Sequence, residues 1–483
     1  MRSGVAAAIV AVIPACAQVF GLDETAKDPE IGVSLSMVRR SIGATVVTAP
    51  EDLSGRVATY LVPDEADPTG LARVVADQPA ADMWVADIKR APVQFDLPDF
   101  PEPVARQLDF PSQAIVGLHS VLEHPNPTPG DPEALLTVSV TLDAPYAGEG
   151  LQLFTLGSWN VRGLEAPPLG ELTVAPAPFT FGSMASLTGR PHEALTTDDA
   201  VLALRHVGNV LTGVAEIPAF AQTGNDTLTG TMVPVAADQL LDVVVDQAEV
   251  ATRYTAVRPA MGNLGMQWAL HAAPGHASGE DRGPVLHAAG VGLVDPPGIQ
   301  VSYGNPFAAA KDWRTVLTWF TQETRSFTPA AQGLPVTLFA QMFEKHEPSP
   351  ALALKLPAGL PELISIGDLP LSIDGLAIPA PARAVTASFV VSPAANTLYQ
   401  LQVMDLVPNA AETALELKVV YSTAGGAPRF TLPPEVFVPG HSYTLRAISV
   451  AGGHPGLADG DLSQRQLPVA VAFMDSGVFT VTP

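Results

Sequence analysis

Few side chains in this sequence are of a type and spacing that could do chemistry. Three histidines, His271, His276 and His287, fall in one stretch with Glu280 and Asp281 between them. Neutral imidazoles with carboxylates are a zinc ligand set, and the same groups could serve a hydrolase. The spacing matches no familiar zinc site, and Gly275, Gly279 and Gly283 read as a loop. His119 and His124 with Glu123 form a weaker group of the same kind. The turn Gly456-Leu-Ala-Asp-Gly-Asp461 sets Asp459 and Asp461 at alternate positions. Calcium needs several oxygen ligands, and its twelve-residue loop ends in a distal Glu that this turn lacks. Ordinary turn chemistry, with Asp side chains bonding their own backbone, explains the same residues. The acidic loops at Asp64, Glu65 and Asp67 and at Asp198 and Asp199 read the same way. Trp84, Trp159, Trp268, Trp313 and Trp319 could line a glycan platform, although single aromatics in strands are more often core. The remaining candidate is Cys16, the chain's single cysteine.

Familiar catalytic signatures are missing. There is no Gly-x-Ser-x-Gly elbow, no His-Glu-x-x-His and no phosphate-binding Gly-x-x-x-x-Gly-Lys. Gly290-Val-Gly-Leu-Val-Asp295 opens like a dinucleotide loop, but it carries Asp where the third glycine belongs and runs into Pro296-Pro297. No cofactor is implied.

Cys16 gains meaning from what precedes it. Arg2 is followed by an apolar run of nine residues, Val5 to Ile13, and then by Pro14-Ala15-Cys16. A helix needs roughly 20 residues to span a bilayer, so the run is too short to be a membrane anchor. It fits the apolar region of a secretory signal. Ile13-Pro14-Ala15-Cys16 resembles the lipobox of bacterial lipoproteins, with Pro14 in place of a small residue. The resemblance implies that the signal (1–15) is removed, that the Cys16 thiol is lipidated and that the new amino terminus is acylated. Several acyl chains are needed because one holds a protein only marginally. Ala17, where lipoproteins retained at the inner membrane carry Asp, implies the outer membrane. The expected location is the outer membrane or cell surface, with the bilayer as partner through the lipid anchor.

Composition bounds the rest. The net charge is −24, from 25 Lys and Arg against 49 Asp and Glu. That balance argues against nucleic acid, whose phosphates call for clustered cations, and against anionic lipid surfaces. With Cys16 processed, no disulfide can form within one chain, so stability must come from packing. Hydrophobic residues make up 47% of the sequence, enough for real cores. The 47 prolines and 40 glycines punctuate short Val-, Thr- and Leu-rich runs, which favours strands joined by turns.

These runs give a domain order. A tether (16–30) leads to a sandwich-like region (31–110), then a second β region (111–178), with 98–111 read as a linker or long excursion. A middle β-rich region (179–380) follows, with short helices admitted. There, 239–250 and 313–320 suit either strand or helix: Trp313, Val316, Leu317 and Phe320 have helical spacing, while Thr315, Val316 and Thr318 are β-branched. The last region (381–483) is the clearest. Pro439-Gly440-His441-Ser442-Tyr443-Thr444-Leu445-Arg446-Ala447 resembles the E–F corner and F strand of fibronectin type III domains. The resemblance implies that Tyr443 buries its ring and bonds its hydroxyl back to the backbone. The expected fold is therefore all-β, with several β-sandwich (Ig/fibronectin III-like) domains in tandem after a signal peptide. The expected function is an exported, lipid-anchored surface protein, a non-enzymatic binding or structural module with a protein or glycan partner. The alternative is an exported hydrolase with its site near His271–His287.

Overall fold

The computed structural model describes residues 33–483 except 43–45, 88–92, 99–102, 109–112, 123–129, 156–159, 187–193, 196–200, 219–220, 246, 258–262, 275–282, 292–298, 349–350, 355–357, 392–396 and 465. The export segment, Cys16 and the tether lie outside the described residues, as do Glu123, His124, Trp159, Asp198, Asp199, His276, Glu280 and Asp281.

The chain is all-β. One long hydrogen-bonded ladder forms its spine. From one end the ladder runs through Asn160–Gly163, Gly150–Thr155, Val201–Val207 and Val210–Ile217. It continues through Val285–Val291, Asn263–Pro274, Trp313–Phe327 and Val336–His346. It then passes through Val469–Asp475, Ser442–Gly452, Thr397–Pro408 and Leu415–Gly425. The far end is made of N-terminal strands: Val104–Leu108, Val93–Leu97, Thr59–Pro63 and Leu71–Val75. Neighbours along this path are antiparallel, except that Val104–Leu108 lies parallel to Leu415–Gly425.

Four smaller sheets pack against the ladder and close the cores. Around Val33–Ile42, Leu35 and Trp84 meet Tyr60, Phe95, Val450 and Val469 of the ladder. Around Leu135–Thr141, Leu136, Val138 and Val140 meet Leu151, Leu153 and Ala203. Around Gln239–Val245, Leu241 and Val243 share a core with Trp268 and Trp319, and Phe389 and Phe430 of the sheet around Val385–Val390 join that core beside Leu401 and Leu445. Alternating strands bury one side chain in two, and full burial of a large apolar side chain contributes about 1.5–3 kcal/mol. Packing on this scale holds the fold together without a staple.

Both ambiguous segments resolve in terms of their pairing. Trp313–Phe327 is a strand, hydrogen-bonded on both sides. Its Leu317, Trp319, Thr321 and Glu323 are buried on one face, while Thr318, Phe320 and Gln322 line the other. Phe320 thus lies across the sheet from Leu317, whereas the helical spacing would have set the two on one face. The 239–250 stretch divides into strand Gln239–Val245 and helix Gln247–Val257. The 98–111 stretch, read as a linker, holds the strand Val104–Leu108, with Ala105 and Leu108 fully enclosed. Its prolines stand outside the strand and leave its donors intact.

Candidate functional site

The candidate site is a groove of about 580 Å³ on the ladder, between the strands Asn263–Pro274, Trp313–Phe327 and Val336–His346 and the strands Gly150–Thr155, Asn160–Gly163 and Val201–Val207. Its floor is a set of cross-strand pairs. Gln322 stands opposite Gln341, Phe320 opposite Phe343 and Thr318 opposite Lys345. Directly opposed residues share a face, with Cβ atoms about 4.5–5.5 Å apart, and successive rungs are roughly 6.5–7 Å apart along the strand. The floor therefore presents an amide rung, an aromatic rung and a cationic rung in order. Gln152, Phe154, Val161 and Leu204 form the facing wall, and Gly283, Pro284 and Val285 close one end beside His271. No Asp or Glu occurs among the described lining residues.

Backbone contacts fix the histidines around this groove. His271 Nδ1 donates to the Gly283 carbonyl at 3.1 Å, which holds the ring against the groove end. His206 Nε2 donates to the Val285 carbonyl at 2.8 Å, joining the wall strand to the same end. Burial pushes the His206 pKa down, against the hydrogen bond to Val285, and so favours the neutral ring. His287 lies elsewhere. It pairs across the ladder with Leu270, on the face opposite to His271. There it stacks on Trp268, with ring centroids 5.1 Å apart and planes 3° from parallel, and burial pushes its pKa down as well. The structure thus separates His271 from His287. Among the described residues no three His, Cys, Asp or Glu side chains gather to hold a metal.

The inner face of the same strands carries buried polar groups of another kind. Trp319 Nε1 donates to Glu344 Oε2 at 3.0 Å, and the Tyr254 hydroxyl of the covering helix donates to the Thr321 carbonyl at 2.8 Å. Burial raises the Glu344 pKa, while the indole N–H works against that rise. These bonds lock the strands whose outer face forms the groove floor.

Several of the other sequence candidates, among the described residues, make structural contacts. Asp461 Oδ1 accepts from the backbone N–H of Ser463 at 2.8 Å and from its hydroxyl at 2.5 Å, while Oδ2 accepts from Gln464 at 3.1 Å. Asp459 ends a single 3₁₀ turn closed by Gly460 at a φ of 77°. Trp84, Trp268, Trp313 and Trp319 are core residues. Tyr443 is buried among Phe437 and Phe479, and its hydroxyl accepts the Val438 N–H at 2.9 Å. Tyr443→Phe is expected to lower stability by about 1 kcal/mol by removing that acceptor. An unchanged denaturation midpoint in the full chain would show that the bond contributes nothing.

The groove residues escaped the motif search because they form no motif. Their signal is an alternation in two strands, Thr318-x-Phe320-x-Gln322 and Gln341-x-Phe343-x-Lys345. Such an alternation marks a face that is neither core nor plain surface, but only the register brings the two triplets together.

No family model matches the chain, and no curated protein matches it. Among solved structures, a streptococcal ancillary pilin is similar at 8% identity with a TM-score of 0.14, over 67% of this chain and 98% of that one. A TM-score that low leaves the reading of this chain to its own residues.

Proposed function

We propose that this is an exported, lipid-anchored surface protein, a non-enzymatic binding module whose recognition surface is the groove on the ladder. The observation that supports the binding reading is the composition of the groove: opposed aromatic and amide rungs beside Lys345, with neither a carboxylate nor a second histidine beside His271 among the described lining residues. Such a lining fits retention of a ligand better than bond cleavage, because general acid–base catalysis calls for a proton donor and acceptor that converge on the reacting bond. The anchor is carried by Ile13–Cys16 and would set the module at the outer membrane or cell surface.

Cys16→Ser is expected to abolish acylation and move the protein from the membrane fraction to the soluble fraction. Unchanged partitioning into detergent would sink the anchor. The binding reading requires that a ligand captured by the groove be recovered intact. Cleavage of that ligand, lost in His271→Ala, would replace the reading with a hydrolase.

A further inference from the structure

Resting on the reading of the groove as a recognition surface, we propose that its ligand is an uncharged glycan, an oligosaccharide held through its hydroxyls and its C–H faces. Three glutamines line the groove: Gln322 and Gln341, opposed across the floor, and Gln152 on the facing wall. Among the described residues none of these side-chain amides is hydrogen-bonded to the protein. The Thr318 hydroxyl on the same floor is without a partner as well. Three unspent amides on one groove leave donors and acceptors to a ligand, which displaces water from them. Beside them, the half-buried rings of Phe320 and Phe343 give apolar surface on which the C–H face of a sugar ring packs. The groove volume of about 580 Å³ lies within the roughly 300–1,000 Å³ of small-ligand sites. A purely apolar ligand would leave the amides desolvated and unpaired.

Charge selects against an ionic ligand. The chain carries 49 acidic and 25 basic side chains, yet the described groove lining holds no carboxylate. Its lysine, Lys345, is 8% exposed and already engaged, and His271 is held by the Gly283 carbonyl. The amides left to a ligand are neutral. A charged ligand would give up its hydration there without a counter-charge, a cost that an uncharged, polyhydroxylated one does not carry.

The same amides argue against a peptide. A side-chain amide offers donors and an acceptor together, and a sugar hydroxyl answers both. A proline-rich segment also docks in aromatic-lined grooves, but it lacks a backbone donor at every proline and leaves the amide oxygens unanswered. Peptides that join a sheet bind to its open edge through backbone hydrogen bonds. Trp313–Phe327 is paired on both sides, with Asn263–Pro274 and Val336–His346.

The test uses the full chain in detergent, titrated calorimetrically with cello-, N-acetylchito- and malto-oligosaccharides, with an oligogalacturonate as the acidic counterpart and a proline-rich peptide as the rival. The expected result is binding of at least one neutral oligosaccharide, with an affinity that stays the same from low to high salt. Phe343→Ala should weaken it about tenfold by removing the stacking surface. Gln341→Leu is similar in size but lacks the amide, and should also weaken it about tenfold. The circular dichroism spectrum of each variant checks its fold. Tighter binding of the oligogalacturonate, or an affinity that falls with salt, overturns the neutral assignment. Failure of all three neutral oligosaccharides, or binding that either variant leaves unchanged, overturns the glycan assignment. Capture of the peptide, lost in Phe343→Ala, overturns it too but leaves the groove standing as a recognition surface. Ligand cleavage that depends on His271 overturns the underlying binding reading instead.

Discussion

Arg205→Met is expected to destabilise the protein by about 3–5 kcal/mol, the cost of leaving buried carboxylates without their cation. Arg205 lies in the strand Val201–Val207 and is 5% exposed. Its guanidinium donates to Asp143 at 2.9 Å, to the carbonyls of Ala144 at 3.2 Å and Pro145 at 3.3 Å, and to Glu149. One side chain thus gathers the whole loop between Leu135–Thr141 and Gly150–Thr155. Met keeps an unbranched apolar stem but is shorter and supplies no donor. The pH dependence carries a definite sign. Burial pushes the Glu149 pKa up, but hydrogen bonds from Arg205 and from the Ala147 backbone outweigh it and hold the carboxyl at about 2. A folded-state pKa below the unfolded value of about 4.3 stabilises the fold above that pH, and the contribution fades as the pH falls toward 2. The variant loses this contribution. Its deficit should therefore be greatest at neutral pH and shrink in acid. Denaturation of both proteins at pH 7 and pH 3.5 reads this directly. A deficit that did not change with pH would mean that the charges of the loop play no part.

Trp319→Phe should cost about 2–3 kcal/mol, part from lost volume in a fully enclosed site and part from the lost indole donor. Trp319 is 0% exposed, and Glu344 beside it is 8% exposed. The Glu344 pKa is raised by burial, so this carboxyl acts opposite to Glu149. Stability falls as the pH rises from the unfolded value through the folded one, where the buried group must ionise. Without the indole N–H the charged form loses a partner, and the fall should steepen. Glu344→Gln removes the titration and should flatten the profile in the Trp319→Phe background. If the single and double variants kept the same slope between pH 5 and pH 8, Glu344 would not be its source.

How much of this was legible in the residues depends on the range of the interaction. The all-β character was legible, because period-two patterns and Pro/Gly punctuation are local. The strand Leu135–Thr141 shows the pattern in its alternating burial. The 313–320 segment was ambiguous because its apolar residues satisfy both periods, and hydrogen bonds from two remote strands decided it. The strand at Val104–Leu108 was hidden among prolines, and its partner Leu415–Gly425 lies most of the chain away. The groove depends on a register that places Phe320 against Phe343 and Gln322 against Gln341, which no local pattern encodes. The histidines show the converse limit. Nearness in sequence suggested a cluster, yet the pleat sends His271 and His287 to opposite faces.

The parallel pairing of Val104–Leu108 with Leu415–Gly425 also sets an order in time. During synthesis the early strand emerges long before its partner exists, and its outer edge stays open until most of the chain has been made. Contacts of such separation form slowly, and open edges invite association with other chains. A chain halted before residue 415 would keep that edge exposed, so the N-terminal strands reach their final pairing only once Leu415–Gly425, in the last seventh of the polypeptide, has arrived.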